Sequence, residues 1–334
     1  PPRSTLFPYT TLFRSASDYG IYGFCFYHYW FNSKLLLETP LHQMLASGEP
    51  DFPFCLCWAN ENWTRACDGE SNQVLIGQKY SDEDDIRHFE YLLTFLRDRR
   101  YIRVHGKPLL LIYRPNQLPD PEKTGRTWRR LAHEAGIGDL YLCKVENFHD
   151  EHYDPKLIGF DASIEFQPDW SMLGPGLTDL EYGDNRVYRY GDMVKIMLHK
   201  EQADYTRFPC VTPSWDNSAR RKEQATIFID ANPAVYELWL AETIRRMEPV
   251  ASDENLIFIN AWNEWGEGCH LEPDKRFGRA FLEATRSALE KGCCREIPAV
   301  AGSRREGVAT PGCRVSIIVP VFNQVDFTRH CLET

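Results

Sequence analysis

The stretch Ala261–Gly268, AWNEWGEG, places Glu264 and Glu267 three residues apart, between Trp262 and Trp265 and beside Asn263. It follows the apolar run NLIFIN and closes on Gly266 and Gly268. Along an extended strand, two residues three apart face opposite sides. Along a turn or a first helical turn their Cβ atoms come within about 5–6 Å. A retaining glycosidase wants its two carboxyl groups about 5–5.5 Å apart. Repulsion between such a pair raises one proton affinity and leaves an acid beside a base. The plainer reading is a satisfied polar turn, in which one Glu caps a helix or pairs with an arginine such as Arg276 or Arg279.

Other chemistry-bearing clusters follow other apolar runs. ANENWTR holds Asn60, Glu61, Asn62 and Trp63 after Trp58, and suits either sugar hydroxyls or a hydrogen-bonded loop. SWDNSAR offers Trp215, Asp216 and Asn217. YHYW carries His28 and Tyr29, where the histidine reads equally well as a satisfied core residue. Glu146 and Glu165 end two runs and read first as structural ion-pair partners, with Arg114 as the candidate cation. The acidic run Asp82–Asp85 reads as a solvated helix start. No HExxH or Cys/His spacing marks a metal site.

The elements that must position these residues follow one rhythm: apolar run, polar-aromatic tail, amphipathic helix. The runs lie at 19–30, 52–58, 107–113, 140–145, 161–166, 208–215 and 255–262. DEDDIRHFEYLLTFLRDRR, TWRRLAHEAG, PAVYELWLAETIRRM and FGRAFLEATRSALEK supply helices between or after them. Apolar strands alternating with helices predict a parallel sheet covered by helices. Seven such strands are one short of a (β/α)8 barrel, so the expected fold is an α/β TIM-like barrel lacking its first strand; the alternative is an open doubly wound sheet. No GxGxxG follows an early strand. In a barrel all the polar tails would gather at the C-terminal mouth, the face where catalysis occurs.

The chain has 334 residues, of which 43% are hydrophobic and 26% charged, an ordinary globular composition. A net charge of −10 argues against a nucleic-acid partner. Aromatic residues make up 13%, a weak pointer to sugar platforms. Eleven scattered cysteines without a CxxC motif read as reduced thiols in a cytoplasmic protein. No apolar run reaches the roughly 18 residues of a membrane span. Residues 1–15, containing TLFPYTTLFRS, look like a translated sequencing adapter and are expected to be non-native. The barrel is expected over 16–291, a Gly/Pro/Ala-rich linker over 292–313, and a new strand-turn-helix unit over 314–334, cut short at its end.

YGIYGFCFYHYWF, FPFCLCWANENWTR, GKPLLLIYRP, VTPSWDNSAR and AWNEWGEGCHLEP together resemble the WbsX family, over roughly residues 18–290. The resemblance implies a glycoside hydrolase family 99-like barrel and a place in bacterial surface-polysaccharide gene clusters, working on an oligosaccharide or polysaccharide. Asn263–Pro273 is similar to the NEWxEGTxIEP segment of the retaining family 99 enzymes. Carried over, Glu264 matches the base that assists the substrate 2-hydroxyl through an anhydro-sugar intermediate, and Glu267 the general acid/base. Gly266 and Cys269 depart from the bulkier or hydroxylated residues of that segment. The tail VSIIVPVFNQVDFTRHCLET resembles the opening of a family 2 glycosyltransferase with a GT-A, Rossmann-like fold. That implies a sugar nucleotide and a divalent metal for the second unit, and no cofactor for the barrel. Peripheral contact with a lipid-linked glycan at the inner membrane face fits the same picture. The rival readings are a non-catalytic barrel that presents a glycan to the transferase, and a purely structural barrel.

Overall fold

Helix and strand formation follows local signals. In the computed structural model, which describes residues 8–65, 70–178, 182–221, 223–247, 252–293 and 316–321, Ser81 caps helix α3 (Asp82–Leu96) by accepting from the Asp84 N–H. Asp120 caps α4 (Pro121–Glu134) and Asn232 caps α6 (Pro233–Arg246), each with Pro at the first helical position. The remaining helices are α1 (Pro8–Asp18), α2 (Thr39–Ser47), α5 (Tyr190–Leu198) and α7 (Ala280–Cys293).

Among the described residues, nine strand segments form the parallel path of the eleven-stranded central sheet: β1 (Ile21–Phe31), β2 (Phe54–Trp58), β3 (Lys107–Ile112), β4 (Tyr141–Glu146), β5 (Ala162–Glu165), β6 (Arg207–Phe208), β7 (Cys210–Val211), β8 (Leu256–Ile259) and β9 (Ser316–Val321). All these pairings are parallel. The order runs β6-β5-β4-β3-β2-β1-β9-β8-β7. Because β6 and β7 are separated only by Pro209, the sheet returns on itself there. Pro209 has no N–H to donate, but its carbonyl accepts from the Phe258 N–H at 2.9 Å. The result is a nearly closed barrel rather than an open doubly wound sheet.

One assignment differs from expectation. The strand expected to begin a separate unit, Ser316–Val321, lies between β1 and β8, where the barrel would otherwise have a gap. Ile317, Ile318 and Val319 are fully buried there. A β-branched run apolar on both faces suits the centre of a parallel sheet, and the slot would otherwise expose two unpaired strand edges. The expected linker, the helix after this strand and the start of the adapter-like segment lie outside the described residues. Of that segment's later part, Phe13 is buried edge-on against Phe24 and Phe52.

Alternation along the strands divides inside from outside. Cys25, Tyr27, Cys57, Leu111, Val145, Ile164, Cys210, Phe258 and Pro320 line the barrel axis. Side chains fill this interior, as they do in (β/α)8 barrels. Residues of the opposite parity face the helices. The acidic helix start is a correction of this kind: Asp84 and Asp85 are buried, not solvated. Asp84 accepts from Trp30 Nε1 at 2.9 Å, and Asp85 from the Thr124 hydroxyl at 2.7 Å. Burial pushes the Asp85 carboxyl up to about 6. The six cysteines at 25, 55, 57, 143, 210 and 269 are buried and unbridged. Among the described residues no helix is long and apolar enough to cross a membrane.

Candidate active site

Parallel strands carry all their C-terminal tails to one rim. Beyond β8 the chain forms a small hairpin, Asn263–Glu264 against Cys269–His270. The 3-10 turn Trp265–Glu267 joins its arms. Gly268 closes the turn at φ +63°, a left-handed conformation that favours glycine. Glu264 and Glu267 therefore sit on one tight turn at the mouth. The Glu264 side chain is 3% exposed and that of Glu267 23%.

Their shared partner is Arg220. Its Nη2 donates to Glu264 Oε1 at 2.5 Å and its Nη1 to Glu267 Oε1 at 3.2 Å. Neither Arg276 nor Arg279 takes that role; Arg276 lies over the Phe277 ring. Arg220 stands at the end of the SWDNSAR motif, 44 residues before Glu264. Glu264 Oε2 is buried and has no hydrogen-bond partner among the described residues. Burial, with repulsion from Glu267, pushes Glu264 up to about 7 against the opposing pull of Arg220. Glu267 is also raised, by burial and by the Glu61 charge, while Arg220 and Arg221 pull it down. Two neighbouring carboxyl groups, each raised above its ordinary range, can act as an acid and a base.

The other expected site residues divide by the face they occupy. Tyr29, on the inner face of β1, lies near the pair: burial and the Glu264 charge push its hydroxyl above the ordinary range. Trp63 is half-buried, edge-on to Tyr29 at 5.3 Å. Glu61 pairs with Arg114 Nη1 at 2.7 Å, and Arg114 Nε reaches Glu151 Oε1 at 2.6 Å beneath the Phe148 ring. Asn60 stitches two tails together, donating to the Arg114 carbonyl at 2.8 Å and accepting from the Arg114 N–H at 2.7 Å. Asn62 is exposed and accepts from the Gln78 N–H. Asp216 is exposed; its N–H donates to the Glu267 carbonyl at 2.7 Å. Asn217 is buried, accepting from the Thr226 N–H at 2.8 Å. Trp215 is buried against Trp170 and Phe166, and its indole N–H has no partner among the described residues. Trp262 is buried against Phe24. Asn263 is half-buried on the hairpin. Trp265 stacks on His270 at 3.7 Å and donates to Glu272 Oε2 at 2.7 Å.

Four expected residues do not belong to the mouth. His28 faces the helices, with Nε2 2.8 Å from His88 Nε2 and its ring stacked on Tyr91. Burial holds it down at about 3, so it stays neutral. Trp58 packs against His88 and Trp128 of α3 and α4. Glu146 accepts from Lys144 Nζ at 3.1 Å and the Tyr205 hydroxyl at 2.7 Å. Glu165 pairs with Lys200 and with Arg207 Nε, each at 3.2 Å. Both carboxylates are thus structural ion-pair partners as read, but with Lys144, Lys200 and Arg207 in place of Arg114.

Sequence reasoning passed over Arg220, Tyr113 and Glu272. Burial and the charges of Glu61 and Glu267 push the Tyr113 hydroxyl well up. Glu272 is buried, with Oε1 unpartnered among the described residues and its carboxyl pushed up to about 7 by burial. All three stand inside quoted motifs; their signal was proximity to a strand end, shared with many residues that point elsewhere. Among the described residues no group of three or more His, Cys, Asp or Glu is placed to hold a metal ion. Of the second unit expected to take a sugar nucleotide and a metal, only the strand Ser316–Val321 is among the described residues.

The family model described as "Glycosyltransferase WbsX" matches residues 11–285. Two curated relatives, each an "Uncharacterized protein WxcX" from Xanthomonas campestris pv. campestris (strains B100 and ATCC 33913), are 43% identical over 286 residues. That match takes 83% of this chain and 40% of each relative, so the chain spans about two fifths of their length. Among solved structures, a "Glycoside hydrolase-like protein" is similar at 16% identity and TM-score 0.57, over 84% of each chain. The GH99 endo-alpha-mannosidase from Bacteroides thetaiotaomicron is similar at 14% identity and TM-score 0.52, over 84% of this chain and 78% of that one. At such identities the likeness is one of fold. With its motifs in order and its tails on one rim, the chain belongs to the WbsX family, on a TIM-like barrel of the family 99 kind.

Proposed function

We propose that the barrel is a carbohydrate-active enzyme of bacterial surface-polysaccharide assembly, such as O-antigen, lipopolysaccharide or capsule, with Glu264 and Glu267 as its reacting pair. The observation that carries this reading is the pair itself: a buried carboxyl group at the head of one 3-10 turn and a half-buried one at its end, both at the C-terminal mouth and both above their ordinary range. A turn that served folding alone would be more stable with one carboxylate fewer.

The chemistry follows the resemblance to retaining family 99 enzymes. Glu264 takes the proton of the substrate 2-hydroxyl as that oxygen attacks the anomeric carbon. The bond from the anomeric carbon to the leaving oxygen breaks, and Glu267 donates a proton to that oxygen. A water or sugar hydroxyl then gives its proton to Glu267 and opens the anhydro ring at the anomeric carbon, while Glu264 returns its proton to the 2-oxygen. Hydrolysis and transfer differ only in the acceptor. The half-buried rings of Trp63 and Trp265 are the apolar platforms for the sugar, and Tyr29 and Asn263 its polar contacts.

The likeness of 314–334 to a family 2 transferase makes the second half of the proposal: a sugar-nucleotide transferase, using a divalent metal, coupled to the barrel. A strand apolar on both faces fits the centre of any parallel sheet, so VSIIVPV can serve the barrel slot here and a transferase sheet in a longer chain. The relatives' greater length agrees with this arrangement. A cytoplasmic site at the inner membrane face, with peripheral contact to a lipid-linked glycan, belongs to the same proposal.

The test is turnover of defined mannose- and rhamnose-containing oligosaccharides by wild type beside Glu264→Gln and Glu267→Gln. Each substitution should lower kcat by about 10²–10⁴-fold, the usual worth of a positioned acid or base. The second reading, a glycan-holding barrel, is favoured by the Arg220 bridge, which satisfies the pair without substrate. Binding without turnover, unchanged by either substitution, would establish that reading and end the enzymatic one.

A further inference from the structure

We propose that Arg220 is the positioning residue of the acidic pair: its guanidinium holds Glu264 and Glu267 together, and it can do so because residue 266 has no side chain. A planar guanidinium offers two parallel N–H directions, so one group reaches two carboxylates at once. Here it spans 2.5 Å to Glu264 and 3.2 Å to Glu267. A Cβ built on Gly266 would fall 2.5 Å from Arg220 Nε, 3.0 Å from Nη2 and 3.1 Å from Cζ. The first is closer than a real Cβ comes and the other two are tight, and because the atoms met belong to the far end of one flexible side chain, the guanidinium is what would shift. Gly266 has no positive φ, so its backbone does not call for glycine; the requirement is space.

The loop that delivers Arg220 is fastened to the same turn. The Asp216 N–H donates to the Glu267 carbonyl at 2.7 Å, and the Ser214 hydroxyl donates to the Gly268 carbonyl. A Cβ on Gly268 would lie 2.9 Å from Asp216 N. The two glycines thus have separate tasks: Gly268 admits the loop's backbone, and Gly266 admits its guanidinium. This accounts for Gly266 in a segment where family 99 enzymes carry a bulkier residue.

The groups facing the pair come from every neighbouring tail: Arg220 and Arg221 from the loop after β7, Glu61 after β2, Tyr29 on β1, Tyr113 after β3 and Cys269 on the hairpin. Arg220 alone among them is bonded to both carboxylates, and Arg221 acts on Glu267 through space. Removing Arg220 takes a countercharge from both acids; adding a methyl at 266 does the same by moving it.

The experiment titrates the carboxyl groups by infrared absorption in glutamate-labelled protein, for Arg220→Met, Arg220→Lys, Gly266→Ala and the double variant Arg220→Met/Gly266→Ala. Arg220→Met should move the pair's midpoint up by a unit or more, a tenfold or greater rise in proton affinity. Gly266→Ala should match it, and the double variant should add nothing, because both changes remove one interaction. Arg220→Lys, a single point of charge, should fall between. An unmoved midpoint in Arg220→Met overturns the bridge, and an unmoved midpoint in Gly266→Ala overturns the space argument. The inference takes its catalytic meaning from the proposed function, and kinetics separate the two. With a substrate, the pH limb of kcat should move with the midpoint while KM changes little. Shifted titration without turnover in wild type sinks the enzymatic reading and leaves the bridge standing. Turnover with an unmoved limb in Arg220→Met does the reverse.

Discussion

Two clusters of buried carboxylates lie in this barrel and are built on opposite terms. On the outer face of β4 and β5, Glu146, Glu165 and Asp169 meet Lys144, Lys200 and Arg207, so three acids face three bases. At the mouth, Glu264 and Glu267 share the bridging guanidinium of Arg220. The first arrangement satisfies its charges within the fold. At the second, two carboxyl groups share one bridging guanidinium, and the buried Glu264 Oε2 has no hydrogen-bond partner among the described residues; Glu146 Oε2 of the first cluster also lacks a hydrogen bond but lies 3.7 Å from Arg207 Nη1. Burial alone therefore does not single out a candidate functional acid; burial with too little countercharge does.

The comparison breaks most sharply at Lys144. Its side chain is fully buried, bonded to Glu146 and to the Glu151 carbonyl, and lies 3.9 Å from the Tyr153 ring centroid. Lys144→Met takes the buried cation from Glu146 and leaves it the Tyr205 hydroxyl and Arg207 at 3.7 Å, so chemical denaturation should show a loss of about 3 kcal/mol. A loss under 1 kcal/mol would mean that the outer network is no better balanced than the mouth.

The mouth behaves in the opposite sense with pH. Glu264 and Glu272 are raised in the folded state from an ordinary value of 4.5 to about 7. Between those values the folded chain holds more protons than the unfolded one, so stability falls as pH rises. The contribution is full below about pH 4.5 and lost through pH 7. At about 1.4 kcal/mol per unit, each group costs up to about 3 kcal/mol by pH 8. Glu264→Gln should therefore flatten the decline in stability between pH 5 and 8 and stabilise the protein at pH 8. A slope the same as wild type would show that Glu264 is not raised in the folded state.

The smallest effect separates support from chemistry within the mouth. Trp265→Phe keeps the ring on His270 but removes the bond to Glu272. It should cost about 1 kcal/mol of stability at pH 8, where Glu272 is ionised, and less at pH 5. An equal cost at both values would show that the bond does not depend on the charge of Glu272.

Much of the fold was legible because its signals are local. The seven apolar runs became strands within a few residues of their expected bounds, and Ser81, Asp120 and Asn232 cap helices through side-chain oxygens. AWNEWGEG was legible as a turn for the same reason: three-residue spacing and two glycines constrain its own backbone. The facing of the tails was less so. His28 and Tyr29 are neighbours in sequence, yet one meets α3 and the other the acidic pair. A barrel strand is buried on both faces, so both parities are apolar, and no local pattern says which parity looks inward. The destination of VSIIVPV was hidden likewise, since a two-sided apolar strand carries no mark of the sheet it enters.

The amino-acid sequence by itself determined the alternation of strands and helices, the parallel sheet and the closeness of Glu264 to Glu267, because each depends on contacts a few residues apart. Only the tertiary structure decided that β9 completes the barrel, that Glu146 and Glu165 are balanced outside it, and that Arg220 lies across the pair in the space Gly266 leaves. Those depend on which distant segments meet when the sheet closes, and charge balance in a buried site is set by that meeting.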